Sequence, residues 1–219
     1  MSEVKLVAIT IPKVEGISTA EEFVAYAARV SNPTSQINNE TAPRLLRYLL
    51  KNRHFSPFEM VDVCLEINTT RDIGRQILRH RSFVFQEFSQ RYAAVTDSFE
   101  FREARLQDQK NRQNSIKTDD DKLANAWYEI QKDVQQIVKS HYDNALQLGI
   151  AKEQARALLP EGMTKTRMYM KGSLRSWIHY CDLRCANGTQ LEHQDVALKC
   201  WEIISKEFPS IASLLNENQ

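Results

Sequence analysis

Between Arg71 and Arg91 the chain concentrates side chains suited to holding an anion. Arg71, Arg75 and Arg79 recur every four residues, so a helix would set them on one face. Gln76 stands beside Arg75, the triplet Arg79-His80-Arg81 follows, and Glu87, Phe88, Ser89, Gln90, Arg91 and Tyr92 come after a mixed interval. A guanidinium grips phosphate through paired N–H donors, and its charge does not vary with pH. Glu87 is informative among so many cations. A lone carboxylate beside an anion would repel it, unless it is ion-paired or accepts from a donor on the ligand. Ser89 and Gln90 add neutral donors and acceptors. On spacing alone the same residues also describe a solvated basic helix face with ordinary ion pairs to Glu87 and Glu59, which contribute little.

Apolar periodicity supplies the elements that would carry this segment. Val4 to Thr10 reads as a short strand. Ser18 and Glu21 match a capping box ahead of a helix from Ala20 to Val30. Thr41 caps a second helix, with Pro43 in its first turn and Leu45, Leu46, Leu49 and Leu50 as its apolar stripe. The segment from His54 to Glu59 interrupts it. Val61, Val63, Leu65 and Ile67 alternate with polar partners, the pattern of a strand with one buried face. Thr69 or Thr70 caps a helix reaching about Arg79. Arg81 to Val95 has no clean period, and Gln107 to Asp120 is a polar, glycine-free excursion. The longest helix runs from Asp119 to Gly149, with Leu123, Trp127, Ile130, Val134, Ile137, Val138 and Tyr142 at spacings of three and four. A short helix ends before Pro160, Met163 to Lys171 reads as a strand, and Ser173–Cys185 and Leu191–Glu207 read as helices. The expected fold is α+β: a single domain over residues 1–219, with a mixed or antiparallel sheet packed by helices, one of them long.

The order of residues adds a resemblance. Arg79 to Arg91, RHRSFVFQEFSQR, is similar to the signature of the flavin-dependent thymidylate synthases (the ThyX family), R-H-R-x-x-S-x-N-x-x-S-x-R. Arg79, His80, Arg81, Ser89 and Arg91 match. Val84 stands where the pattern has Ser, and Gln86 where it has Asn. Further segments resemble the family in family order: Ala28-Arg29-Val30-Ser31, His54 to Glu59, Ala155-Arg156 before Leu159-Pro160, Arg175-Ser176, and Leu183-Arg184 with Gln190.

The resemblance implies methylation of dUMP to dTMP, with FAD as hydride carrier, 5,10-methylenetetrahydrofolate as carbon donor and NADPH as reductant. It implies that Ser31, Ser56, Glu59, Arg79, His80, Arg81 and Glu87 hold FAD, with His54, Ser173, His179 and Gln190 on the flavin side. It implies that Gln76, Arg79, Glu87, Phe88, Ser89, Gln90, Arg91, Arg156 and Arg184 hold dUMP, Arg184 lying near the uracil and favouring the form ionised at N3. Family members often carry His where this chain has Gly188. The resemblance also implies a homotetramer with each flavin lodged between subunits. No G-x-G-x-x-G follows a strand, so a Rossmann cofactor site is not expected.

Composition limits the other classes. The 219 residues suffice for a real core, which at this size removes roughly 70% of the unfolded surface from water. Lys and Arg number 29 against 28 Asp and Glu, so a general polyanion binder is disfavoured and phosphate recognition must be local. No apolar run is long enough to span a membrane, no signal peptide is visible, and Cys64, Cys181, Cys185 and Cys200 form no Cys-x-x-Cys pair; a cytoplasmic protein is expected. None of the cysteines follows a Pro and precedes a His, the setting of the nucleophile in the unrelated thymidylate synthases. Adding His179 and His193 gives no common zinc spacing, and no metal is expected. Asp119-Asp120-Asp121 reads as helix capping, His141 as a satisfied partner, and Trp127, Trp177 and Trp201 as core. Two other functions stay open on residues alone. A flavin-free nucleotide enzyme such as a phosphohydrolase would want a metal cluster or phosphate loop. An RNA-binding module would use Arg71 to Arg91 with Phe83, Phe85, Phe88 and Tyr92 as stacking groups.

Overall fold

The computed structural model describes residues 2–96 and 99–215. Its central sheet has the strand order β1-β2-β6-β3, where β1 is Glu3–Ile9, β2 Asp62–Thr70, β3 Val84–Glu87 and β6 Lys165–Ser173. Every pairing in it is antiparallel. A separate two-stranded hairpin joins β4 (Arg105–Gln107) to β5 (Ser115–Lys117). The helices are α1 (Ala20–Ala28), α2 (Ala42–Lys51), α3 (Arg71–Ile77), α4 (Asp121–Gln147), α5 (Lys152–Ala155), α6 (Leu174–Arg184) and α7 (Leu191–Glu207).

Alternation builds the core. Val63, Leu65 and Ile67 of β2 and Met168 and Met170 of β6 are wholly buried on one sheet face. Against them pack Trp177 of α6 and Val196, Cys200 and Ile204 of α7. Burying a side chain of this size contributes about 1.5–3 kcal/mol. Gly172 makes room for the segment that follows α3: a Cβ there would meet Phe83 at 2.5 Å. The Phe83 ring thus lies over β6, edge-on to Trp177 at 4.8 Å.

Local chemistry departs from the sequence reading at several places. The capping box lies one residue later: Thr19 Oγ1 accepts from Glu22 N–H at 3.1 Å and Glu22 accepts from Thr19 N–H at 2.9 Å. Thr41 starts α2 without capping it, because its hydroxyl accepts from Arg29 at 2.7 Å. Thr70 likewise starts α3, but its hydroxyl is taken by Arg102 and Asp72. Asp120 caps α4 through two backbone N–H groups, as the acid triplet suggested. The polar excursion is a hairpin, and β3 occupies the stretch that showed no period.

The largest departure is α4. Its apolar stripe faces outward: Leu123, Trp127, Ile130, Val134 and Ile137 are 37–59% exposed, and Tyr142 and Gln131 are its buried residues. Trp127, expected in the core, instead donates its indole N–H to the Arg102 carbonyl at 2.9 Å. His141 is exposed on the same helix. No helix among the described residues is long and apolar enough to cross a membrane.

Candidate active site

Helix α3 begins directly at the end of β2, so its first turn is held against the sheet. Arg71 and Arg75 share a face, as their spacing required, but that face is not a free basic strip. Both reach Glu87, at 3.4 and 3.2 Å, and both reach Glu161. Thr166 donates to the same Glu87 carboxylate at 2.8 Å. Glu87 is therefore a paired carboxylate, which explains its presence among cations. Helix α3 ends at Ile77, so Arg79 leaves that face. Arg79 and Arg81 are exposed, and their guanidinium groups have no partner among the described residues.

Between those arginines, His80 turns inward. Its Nε2 accepts from Arg184 Nε at 3.0 Å, so its proton is on Nδ1. Its ring stands edge-on to Tyr180 at 4.9 Å. Burial and the neighbouring Arg184 charge lower the His80 pKa to about 4. His80 is thus a neutral acceptor that holds the Arg184 guanidinium in place. Behind it, buried His193 meets the Tyr180 hydroxyl and Gln76, and Gln76 donates to Gln190 at 2.7 Å. The structure so brings Gln76, His80, Arg184 and Gln190 into one cluster.

A second cluster forms where α6 leaves β6. Ser173 caps α6, accepting from Ser176 N–H, and donates to Glu59 at 2.5 Å. Arg175 pairs with Glu59 at 2.9 Å and approaches His179, whose ring stacks edge-on with Phe55 at 4.6 Å. The short 3-10 turn Ser56–Met60 supplies Ser56 and Glu59. His54 stands before that turn, in edge contact with Tyr48. Ser31 is exposed after α1, which packs on the same turn. Helix α6 carries Arg175, His179 and Arg184 on one element, about 16 Å from its cap to its end, and so ties the two clusters together.

A third group stands apart. Arg91 pairs with Glu153 at 3.3 Å, Arg156 Nε donates to the Glu153 carbonyl at 3.3 Å, and Arg91 lines a cleft of about 570 Å³ with Gly149 to Lys152. Ser89 Oγ accepts from Arg91 N–H, Phe88 N–H continues the β3 pairing to Arg167, and Gln90 is buried with its amide Nε2 unpartnered among the described residues. No hydrogen bond among the described residues joins this group to the Arg184 cluster. Val84 and Gln86, the two departures from the signature, lie on the exposed side of β3, opposite Phe85 and Glu87. Sequence reasoning gave no role to Arg175, Tyr180 or His193. A histidine at the head of the apolar stripe Val196, Ala197, Cys200 and Ile204, three residues before Val196, is the visible signal for the last.

These features define an α+β protein without a glycine-rich dinucleotide loop, with arginine forks that have no partner among the described residues set around a buried polar centre. Comparison with known proteins narrows it. A family model described as Thymidylate synthase complementing protein matches residues 14–210. A protein of Paramecium bursaria Chlorella virus 1, named probable flavin-dependent thymidylate synthase, is 52% identical over 97% of this chain and 98% of its own. The flavin-dependent thymidylate synthase of Synechocystis sp. is 48% identical over 97% of this chain and 99% of its own. In three dimensions the chain is similar to the UMP/dUMP methylase PolB from Streptomyces cacaoi bound with 5-Br dUMP. The TM-score is 0.84 at 25% identity, over 99% of this chain and 95% of that one. The chain belongs to the flavin-dependent thymidylate synthases, a family of methyltransferase enzymes.

Proposed function

We propose that the chain converts dUMP, methylenetetrahydrofolate, NADPH and a proton into dTMP, tetrahydrofolate and NADP⁺, with FAD as the bound carrier. The observation that carries this is the Arg184–His80 pair at 3.0 Å, flanked by the unpaired forks of Arg79 and Arg81. Exposed guanidinium groups without protein partners suit the diphosphate of FAD, and the Glu59–Ser173–Arg175 cluster suits its hydroxyl-bearing part. Bound flavin would supply the hydride that reduces the transferred carbon to a methyl group.

The chain's own residues do the rest. Arg184, held through Nε by a neutral imidazole, keeps both terminal nitrogens for the uracil. A fixed cation beside the ring favours the form ionised at N3 and stabilises negative charge spreading toward C5, where the carbon is added. A charged His80 would compete with that pair; its lowered pKa prevents this. Arg91 and Arg156, with Ser89, would take the dUMP phosphate. No thiol is needed. Burial raises the thiol pKa of Cys181 and Cys200, Cys185 is 4% exposed, and Cys64 lies within β2.

The outward apolar stripe of α4 supports assembly into a homotetramer, since an exposed row of this size calls for a partner. Assembly would also let the Arg91–Arg156 group of one subunit complete the Arg184 cluster of another. The test is an omission assay on the flavin-loaded protein. Product dTMP should require dUMP, the folate and NADPH together. Methylation that proceeds without a flavin, or none with all components present, would overturn the reading.

A further inference from the structure

Five side chains behind the Arg184 cluster form one continuous run of hydrogen bonds, and its direction can be derived from one end. Glu192 is the fixed point. Its carboxylate receives Arg102 Nη1 at 2.9 Å and also Arg105 Nη2. Burial alone would raise its pKa, but the Gln190 hydrogen bond and the two arginines outweigh that and hold it below the ordinary value. An ionised carboxylate only accepts. Gln190 therefore turns its Nε2 to Glu192, at 2.9 Å, and its Oε1 to Gln76. Gln76 must then show Nε2 to Gln190, leaving its own Oε1 to face His193 Nδ1 at 3.2 Å. The His193 ring must carry its proton on Nδ1. Its Nε2 is left to accept from the Tyr180 hydroxyl at 3.1 Å. Reversing one amide would set two donors or two acceptors face to face.

His193 is wholly buried, so it reaches no ligand itself. Two members of the run, Gln76 and Gln190, are half-buried. Gln190 also lines a cleft of about 640 Å³ beneath the β4–β5 hairpin, together with Arg102, Arg105 and Trp127. Only one of the two N–H groups of Gln76 Nε2 is used within the run, so a second donor is left for a ligand.

We propose that His193 is a positioning residue for nucleotide binding: its Nδ1–H holds the Gln76 Oε1 that Gln190 leaves free, so the amide is fixed from both ends and with it the N–H donor that Gln76 presents to dUMP. This rests on the dUMP reading above. The ring stays neutral because burial, Arg184 and His80 lower its pKa to about 3. A charged ring would donate from both nitrogens and leave the Tyr180 hydroxyl proton without an acceptor.

Calorimetry of dUMP binding to the flavin-loaded full chain tests this. His193→Leu keeps bulk but leaves Gln76 Oε1 without its donor, so the amide is held from the Gln190 side alone and loosens. His193→Asn returns an N–H near the Nδ1 position. The expected result is dUMP affinity weakened about tenfold in the Leu variant, as for one lost ligand-facing hydrogen bond, with the same rise in KM and little change in kcat. The Asn variant should recover to within about twofold of wild type. A merely structural His193 would lower Tm in both variants and leave dUMP affinity per flavin-loaded site unchanged, which overturns the proposal. Wild-type protein that binds no dUMP would instead sink the dUMP reading beneath it. If the Leu variant does not fold, ¹⁵N shifts of the wild-type imidazole decide: a protonated Nδ1 supports the relay, and a protonated Nε2 overturns it.

Discussion

Glu87→Gln is the perturbation whose cost can be worked out most fully. The carboxylate is 15% exposed, and its partner Arg71 is 8% exposed. Oε1 accepts from Thr166 at 2.8 Å and lies 3.4 Å from Arg71, while Oε2 meets Arg75 at 3.2 Å. Glutamine keeps the shape but loses the charge and one acceptor, so its NH2 must face either a guanidinium or the Thr166 hydroxyl. Arg71 would retain Glu161, whose side chain is 53% exposed. Removing one partner of a buried pair costs about 3–5 kcal/mol; with Glu161 still present and Arg75 half in solvent, roughly 2–4 kcal/mol is expected. For a chain of this length that corresponds to a Tm lower by roughly 5–15 °C. Differential scanning fluorimetry of both proteins at equal flavin loading measures it. A shift below about 2 °C would refute the claim that Glu87 is a paired structural carboxylate.

Other outcomes follow from the same contacts. Arg184→Ala should lower kcat by about 10²–10³-fold, the usual loss for one electrostatic donor, while FAD content per protein stays near wild type; equal loss of both would remove its assigned role. Ile137→Glu, at a position 59% exposed on α4, should leave the helical circular-dichroism signal intact but lower the oligomer mass by light scattering, with flavin lost alongside. An unchanged mass would separate the α4 stripe from assembly. The lowered His193 pKa of about 3 favours the neutral ring in the folded state, while the unfolded ring titrates near the ordinary imidazole value of 6.5. Stability from this group is therefore full above about pH 6.5 and drains as pH falls toward about 3, by roughly 2–3 kcal/mol over the first two units. Wild type and His193→Asn should thus converge in Tm between pH 7 and 4.5; parallel curves would contradict the shift.

Much of the scaffold was legible because burial imposes a period. Alternation located β2, the strand read over Met163 to Lys171 is β6 shifted by two residues, and the helix read over Leu191 to Glu207 is α7 at its observed bounds. Where burial imposes none, the sequence was mute. Strand β5 is exposed throughout, and β3 is a four-residue edge strand, so neither carries a readable pattern. The 3–4 spacing marks α4 and its apolar stripe correctly, but Trp127 on it is not core, since periodicity reports an apolar face and not what lies against it. At the site, residue order marked Arg79 to Arg91 and Arg184. Spacing allowed ion pairs from the arginine face to Glu87 and Glu59; Arg71 and Arg75 do hold Glu87, whereas Glu59 pairs with Arg175, which the order of residues did not show. Tyr180 and His193 acquire meaning only once α3, α6 and α7 meet.

The most direct test of the account is a visible absorption spectrum of the purified protein, taken with FAD added and then with dUMP. Flavin bands that survive removal of free FAD and shift when dUMP is added are the predicted result, placing both ligands in one site. A colourless protein that ignores FAD yet binds dUMP would contradict the central claim and leave the Arg79-His80-Arg81 triplet without its proposed ligand.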